Sequence, residues 1–338
     1  MSKSLEETTG ATSPRAQQSP SHTPSPALPL AFAAFAGALM PVQGLIVGRA
    51  GTHMGSVLWA AVVSLGTAFV LLLVTSLFTA KGRQAWARGV TIWKERTIPR
   101  YFLLAGVIGA CYLMIMAAAL DTIGLAIFAV CIVAMRTISS MVIDIKGFSP
   151  AGKQPLTRQR AISAALLLVG AVVASSGAGA RAENSPMTWV VLVLSAIIGA
   201  LLSVQQSMNG HGGKAYKSTT TVTAINNLVA VVTLLIIGVI LAILHVPAAF
   251  AQQPPEWWHF LAGPLGILFV TTGITLVPIL GSLLTGIGLV TGQLVGSLLL
   301  DYLVAPENVQ VTEVLGVAIT VLAIIVASLP TQRFMKRR

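Results

Sequence analysis

Charge is what this chain has least of. Asp, Glu, Lys and Arg together make up 9% of its 338 residues, while 55% are apolar. Soluble domains carry about a quarter charged residues, and the mean hydropathy here is +0.84, so a water-soluble domain is excluded. Cysteine is nearly absent: Cys111 and Cys131 both fall inside apolar runs, where a small apolar role is the ordinary one, and no disulfide framework is available. No G-x-x-x-x-G-K-[ST] string occurs. The nearest look-alike, GHGGK at 210–214, has the wrong spacing, which argues against ATP hydrolysis. The five histidines (His22, His53, His211, His245 and His259) are scattered, with no H-E-x-x-H and no Cys/His metal spacing. Neither a metal site, nor an external cofactor, nor an enzyme's catalytic centre is expected.

What is present is long apolar runs. A helix needs roughly 20 apolar residues to cross a bilayer, because no water is available there to satisfy its backbone. Ten runs meet that length, at about 27–47, 56–79, 101–120, 122–145, 161–178, 188–208, 219–244, 257–277, 279–301 and 312–330. The first 26 residues are polar and rich in Ser, Thr and Pro, with Glu6 and Glu7 where a signal peptide would be basic. They read as a disordered tail.

The chain repeats itself. Residues 104–144 align with 261–301 at an offset of 157, matching Leu104/Leu261, Gly106/Gly263, Gly109/Gly266, Gly124/Gly281, Ser140/Ser297 and Asp144/Asp301. Upstream, GALMPVQ (Gly37 to Gln43) answers GALLSVQ (Gly199 to Gln205) at an offset of 162. Each copy holds five spans, which divides the chain into a first repeat at 27–178 and a second at 188–330, with a basic tail at 331–338.

The net charge of +11 is a topology signal and gives no reason to expect nucleic acid. Of the 21 Lys and Arg residues, eighteen fall in the two tails and in the loops 81–100, 146–160 and 209–218. Arg49 and Arg181 fall on the opposite side, and Arg136 lies within a span. The positive-inside rule then puts both termini in the cytoplasm. An odd number of spans per repeat inverts the second copy, and the charges agree: loops 245–256 and 302–311, the counterparts of two basic loops, carry no Lys or Arg. Inverted repeats characterise secondary transporters. Within 81–100, Trp86, Val90 and Trp93 recur on one helical face with cations on the others, the pattern of a helix lying on a membrane surface.

The G-A-x-x-x-V-Q opening, the A-G-x-x-G start of the third span and the string GQLVGSLLLD (Gly292 to Asp301) resemble the YdcZ-like family of the drug/metabolite transporter superfamily, as two fused five-helix units. The second half is the closer match; in the first, Val47 stands opposite Asn209, and Met135-Arg136 opposite Gly292-Gln293. The resemblance implies an all-α, ten-helix inverted-repeat fold in the bacterial inner membrane. It further implies export or exchange of a small metabolite or drug, with the lipid bilayer and a small-molecule substrate as partners.

Candidate site residues are the polar groups within spans, since each is costly in hydrocarbon. Gln43 and its mate Gln205, with Asn209, serve either as interhelical glue or as lining of a shared central path. Arg136, with Gln293 as its mate, either forms a structural ion pair or faces that path and favours a substrate bearing a carboxylate or phosphate. Asp144 and Asp301 fall near opposite mouths, as gating or proton-coupling carboxylates or as solvated interfacial residues, Asp144 then beside Lys146. Pro41 breaks or kinks the first span, and Gly288, Gly292 and Gly296 give the ninth a smooth packing face. The leading expectation is a proton-coupled secondary transporter working by alternating access as a monomer. The alternatives are a lipid or lipid-linked precursor translocase and a non-transporting assembly partner.

Overall fold

The computed structural model describes residues 26–123, 125–176, 185–246, 250–304 and 309–329. The tail up to residue 25, the basic tail 331–338, Arg181 and Gly124 lie outside the described residues. Every regular element among the described residues is helical: α1 (Ala27–Ala38), α2 (Met40–Met54), α3 (Val57–Phe78), α4 (Ala80–Glu95), α5 (Ala105–Thr122), α6 (Leu125–Lys146), α7 (Arg158–Ser175), α8 (Pro186–Tyr216), α9 (Thr219–Ile243), α10 (Ala262–Leu280), α11 (Ser282–Val304) and α12 (Val311–Ser328). Short 3-10 turns at Arg100–Leu104 and Trp257–Leu261 lead into α5 and α10. Among the described residues, nine helical segments are long and apolar enough to cross a membrane, α1 and α2 counting as one. The tenth, α5 with its leading turn, is apolar over the shorter stretch Arg100–Met116.

Several spans run past their apolar cores. The first ends at Met54 and the sixth, α8, continues to Tyr216; of their polar Gly-rich ends, Ala50, Gly51 and Met54 are buried in the first and Asn209, Gly210, Gly212 and Tyr216 in the sixth, while Gly48, Arg49 and Thr52 stay exposed. The first span breaks between α1 and α2. Pro41 has no N–H to give the Gly37 carbonyl, which accepts instead from the N–H of Leu39.

The repeats are built alike in detail. Ser56 caps α3 by accepting from Trp59 N–H, and Ser218 caps α9 by accepting from Thr221 N–H. Each follows a left-handed residue, Gly55 at φ 63° and Lys217 at φ 53°. Such a cap stabilises a helix by about 1 kcal/mol. Equivalent helices run in opposite directions: Leu58, in the first turn of α3, packs against Gly238 near the end of α9. The contacts come in symmetric pairs, with α6 on α8 matching α11 on α1, and α5 on α9 matching α10 on α3. Glycine makes the second pair possible. A methyl group on Gly106 would lie 2.8 Å from the backbone N of Ala230, and one on Gly263 2.8 Å from that of Ala68. The same helix crossing is thus made twice.

Polar and apolar groups sort as hydrocarbon solvent requires. Leu28, Phe35, Val70, Trp189, Val239 and Ile243 are exposed on the outside, whereas Ser64, Ser203, Asn226, Asn227 and Thr291 are buried between helices. Helices in lipid associate through small residues and polar contacts, not through apolar burial. The fifth helices of the two repeats, α7 and α12, pack on each other, Gly170 against the Gly316 carbonyl and Thr320. Helix α4 buries Gly82, Ala85 and Ile92 and leaves Val90 and Trp93 exposed, with Arg100 stacked 4.7 Å over the Trp93 ring.

Candidate functional site

A cavity of about 200 Å³ lies among the middle turns of eight helices, α2, α3, α5, α6, α8, α9, α10 and α11. Helices α7 and α12 do not reach it. Its lining therefore draws on the first four spans of each repeat. Gln43, Gln205, Asn209, Arg136 and Gln293 all face this one chamber. The two glutamines occupy equivalent places: a methyl on Gly266 would meet Gln43 Nε2 at 2.7 Å, and one on Gly109 would meet Gln205 Nε2 at 3.1 Å. Glycine at both positions leaves room for an amide beside the helix backbone.

The chamber is not symmetric in chemistry. On the second-repeat side, Asn226 Oδ1 accepts from Gln205 Nε2 and from Asn209 Nδ2, each at 3.4 Å. At the equivalent first-repeat positions stand Ser64, Gln43 and Val47. There the Gln43 Oε1 and Ser64 Oγ atoms are buried with no hydrogen-bond partner. Asn226 and Asn227, both lining the chamber, were not among the sequence-derived candidates. Their signal was available: two adjacent amides inside an apolar run, with Ser64 opposite the first at the offset of 162.

Arg136 is 8% exposed. Its guanidinium donates through Nη2 to Gln206 Oε1 at 3.0 Å and lies 5.9 Å from the Phe269 ring centroid. Its Nε has no partner. Among the described residues no carboxylate lies within ion-pair distance, since the two ion pairs found there are His53 with Glu256 and Arg160 with Asp144. The helix beneath Arg136 is fixed by Ser203 Oγ, which donates to the Arg136 carbonyl at 2.7 Å.

Asp144 lies at the end of the molecule that carries the basic loops. It is 1% exposed, and its side chain accepts from Ser282 N–H at 2.7 Å, Leu283 N–H at 3.1 Å and Arg160 Nη1 at 3.1 Å, while its carbonyl accepts from Gly147 N–H at 3.2 Å and Gln154 N–H at 2.8 Å. Arg160 also donates to the Leu280 carbonyl at 2.9 Å. The carboxylate thus caps the start of α11, where the helix dipole favours an anion, although it stands near the unfavourable end of its own helix. Its charge partner is Arg160 and not Lys146. Gly281, at φ 84°, makes the turn into α11, and a side chain there would meet Asp144 Oδ2 at 2.7 Å.

Asp301, the repeat mate of Asp144, is partly exposed at the other end, with the Glu313 carboxyl as its neighbour. Where Asp144 has a cation beside it, Asp301 has a second carboxyl group. At that same end His53 packs on His259 at 5.3 Å between ring centroids and donates through Nε2 to the Pro254 carbonyl at 3.2 Å, while Gln252 N–H donates to the Met54 carbonyl at 2.8 Å. At the basic end Phe102, the repeat mate of His259, packs on His211 at 5.5 Å. Gly288, Gly292 and Gly296 form the face of α11 that meets Leu30, Ala33, Ala34 and Ala38 of α1, beside the break made by Pro41.

Two inverted five-helix units closed around a polar chamber make this a multi-pass membrane protein of the drug/metabolite transporter type. Within that class the chain belongs to the YdcZ family: the family model described as "Putative inner membrane exporter, YdcZ" matches residues 28–173 and again 190–326. Solved structures share the fold. One crystal structure of a protein covers 89% of this chain and 95% of its own length, with a TM-score of 0.61 at 18% identity. None of the curated proteins compared matches the chain.

Proposed function

We propose that the protein is a secondary active transporter that moves a small molecule across the bacterial inner membrane by alternating access, in the export direction. The observation that carries this reading is the chamber itself. It lies where equivalent spans of the two inverted repeats meet, and symmetric amides, Gln43 and Gln205, reach into it from opposite halves. Two halves related in this way interconvert by rocking about the chamber, and the site stays fixed while access changes.

In this reading Asp144 and Arg160 clasp the repeats at the cytoplasmic end, since they bind the α10–α11 junction of the second repeat. Asp301 and Glu313 serve the outer end. Two neighbouring carboxyl groups repel when both are ionised, which favours a proton on one of them, and exchange of that proton as the mouth opens to water is the coupling step in this reading. Gly288, Gly292 and Gly296 let α11 slide along α1. Both termini are cytoplasmic and the monomer is the working unit.

The test compares small molecules inside and outside cells that overproduce either the wild type or an inserted Gln43→Leu/Gln205→Leu variant. A compound shifted outward by the wild type alone supports export through the chamber. Equal shifts by both proteins, or by neither, overturn it.

A further inference from the structure

We infer that the chamber takes a small organic anion, a carboxylate or phosphate group carried on an apolar body of about one ring, with Arg136 as the residue that binds the charge. The inference rests on the transport reading for its biological use but on the chamber's own chemistry for its content. Among the residues that line the chamber, Arg136 is the one charged side chain; no Asp or Glu is present. Its surroundings are amides, a serine, Tyr112 and apolar groups.

A guanidinium has five N–H donors and cannot lose its charge in a protein. Burial of such a group is costly unless it is paired and hydrogen-bonded. Here one donor is met by Gln206 Oε1 and the Phe269 ring lies beside the charge, an attraction of the cation–π kind. Nε is left without a partner although it is fully buried, and so is Gln206 Nε2 next to it. Both residues line the chamber, so two unmet donors, one of them charged, stand in its wall. An oxyanion accepts both, and a planar carboxylate or a phosphate matches the guanidinium fork. A cation would meet the same charge as repulsion, in a setting where screening by water is weak.

Size and polarity set the rest of the ligand. A cavity of 150 Å³ is enough for benzene, so about 200 Å³ holds one ring and an acid group but not a lipid tail. The lining also supplies Leu113, Ile132, Val270, Ile274 and Leu289, against which an apolar body loses no hydrogen bonds. The symmetry mate of Arg136 is Gln293, also in the lining. One end of the chamber is therefore cationic and its counterpart neutral, which orients a monoanion.

The experiment uses the purified full-length protein in neutral detergent, with benzoate and phenyl phosphate as probes and benzamide and benzylamine as neutral and cationic controls, read by calorimetric titration. The expected result is binding of one or both anions at least tenfold tighter than either control, lost in Arg136→Gln. Because Arg136→Gln removes a buried charge and its fold is not assured, Gln206→Glu is the second variant. It keeps the volume, pairs with Arg136 in place of the ligand, and is expected to abolish anion binding as well. Equal binding of benzamide or benzylamine, or anion binding that survives Gln206→Glu, overturns the inference. So does displacement of both probes by dihexanoyl phosphatidylglycerol at lower concentration, which would make the site a lipid headgroup site. Flux is scored separately in proteoliposomes with labelled benzoate. Binding without flux upholds the anion site and overturns the transport reading, whereas flux of other solutes without anion binding overturns the anion site alone.

Discussion

Arg160 and Asp144 are joined at 3.1 Å, and each also holds the second repeat: Asp144 accepts from Ser282 N–H, and Arg160 donates to the Leu280 carbonyl. The pair comes from the first repeat and grips the junction between α10 and α11. Its Arg160 side chain is 12% exposed and its Asp144 side chain 2%, so breaking it leaves a buried charge without a partner. Asp144→Ala is expected to lower stability by about 3 kcal/mol or more, and Asp144→Asn by less, since its side-chain oxygen keeps one acceptor for the α11 N–H groups. Thermal unfolding of the purified variants in detergent ranks them; equal melting of wild type and Asp144→Ala would show the clasp to be dispensable.

The repeated helix crossing predicts lesions at matched positions. Gly106→Ala and Gly263→Ala each push a methyl into backbone, the first hard against the Asn226 carbonyl oxygen and the second 2.8 Å from Ala68 N, and both should reduce folded yield, Gly106→Ala the more. Gly44→Ala and Gly48→Ala, where nothing lies within 4 Å, should be neutral or stabilising by up to about 1 kcal/mol through helix propensity. Fluorescence-detected size exclusion of all four measures the contrast.

Asn226 is the acceptor for two amides, and truncating it strands both. Asn226→Ala is expected to cost about 1–3 kcal/mol, while Asn227→Ala, whose side chain donates to the Thr223 carbonyl of its own helix, should cost less. The check is the difference in melting temperature between the two variants.

The outer carboxyl pair predicts a change in the pH profile of transport. If Asp301 and Glu313 exchange a proton during the cycle, Asp301→Asn flattens the dependence of export on external pH while leaving substrate binding in place. Export by Asp301→Asn that follows the wild-type profile would remove the pair from the coupling step.

Orientation is tested by labelling. In a variant with Cys111 and Cys131 replaced by Ala, Lys153→Cys is expected to react with a membrane-impermeant maleimide only in everted vesicles, and Gln252→Cys only in intact spheroplasts. The reverse pattern would place the basic loops outside.

Much of this architecture is legible in the sequence for a simple reason: hydrocarbon thickness fixes span length, and an amide or guanidinium inside a span stands out against it. Gln43, Gln205, Asn209, Arg136 and Gln293 stood out in that way, and the structure gathers them round one chamber. Arg160 did not, because it falls just outside the apolar run beginning at 161 and its value lies in a contact with residues 120 or more positions away. The capping of α11 by Asp144 was hidden for the same reason. Its own helix gave it an unfavourable dipole, and the favourable one belongs to a helix 138 residues further along. The lengths of α2 and α8 were understated because their last turns are polar and so fall outside the apolar runs.

The pairing of Arg136 with Gln293 bears on why the two repeats are fused. If five-helix units of one kind assembled as two identical chains, each would bring the same residue to the axis, and an arginine would arrive twice. Two guanidinium groups facing one small chamber would repel each other or demand a dianion. Joining the copies in a single polypeptide lets a substitution enter once, so the stoichiometry of charge at the centre is one per molecule, set by the gene.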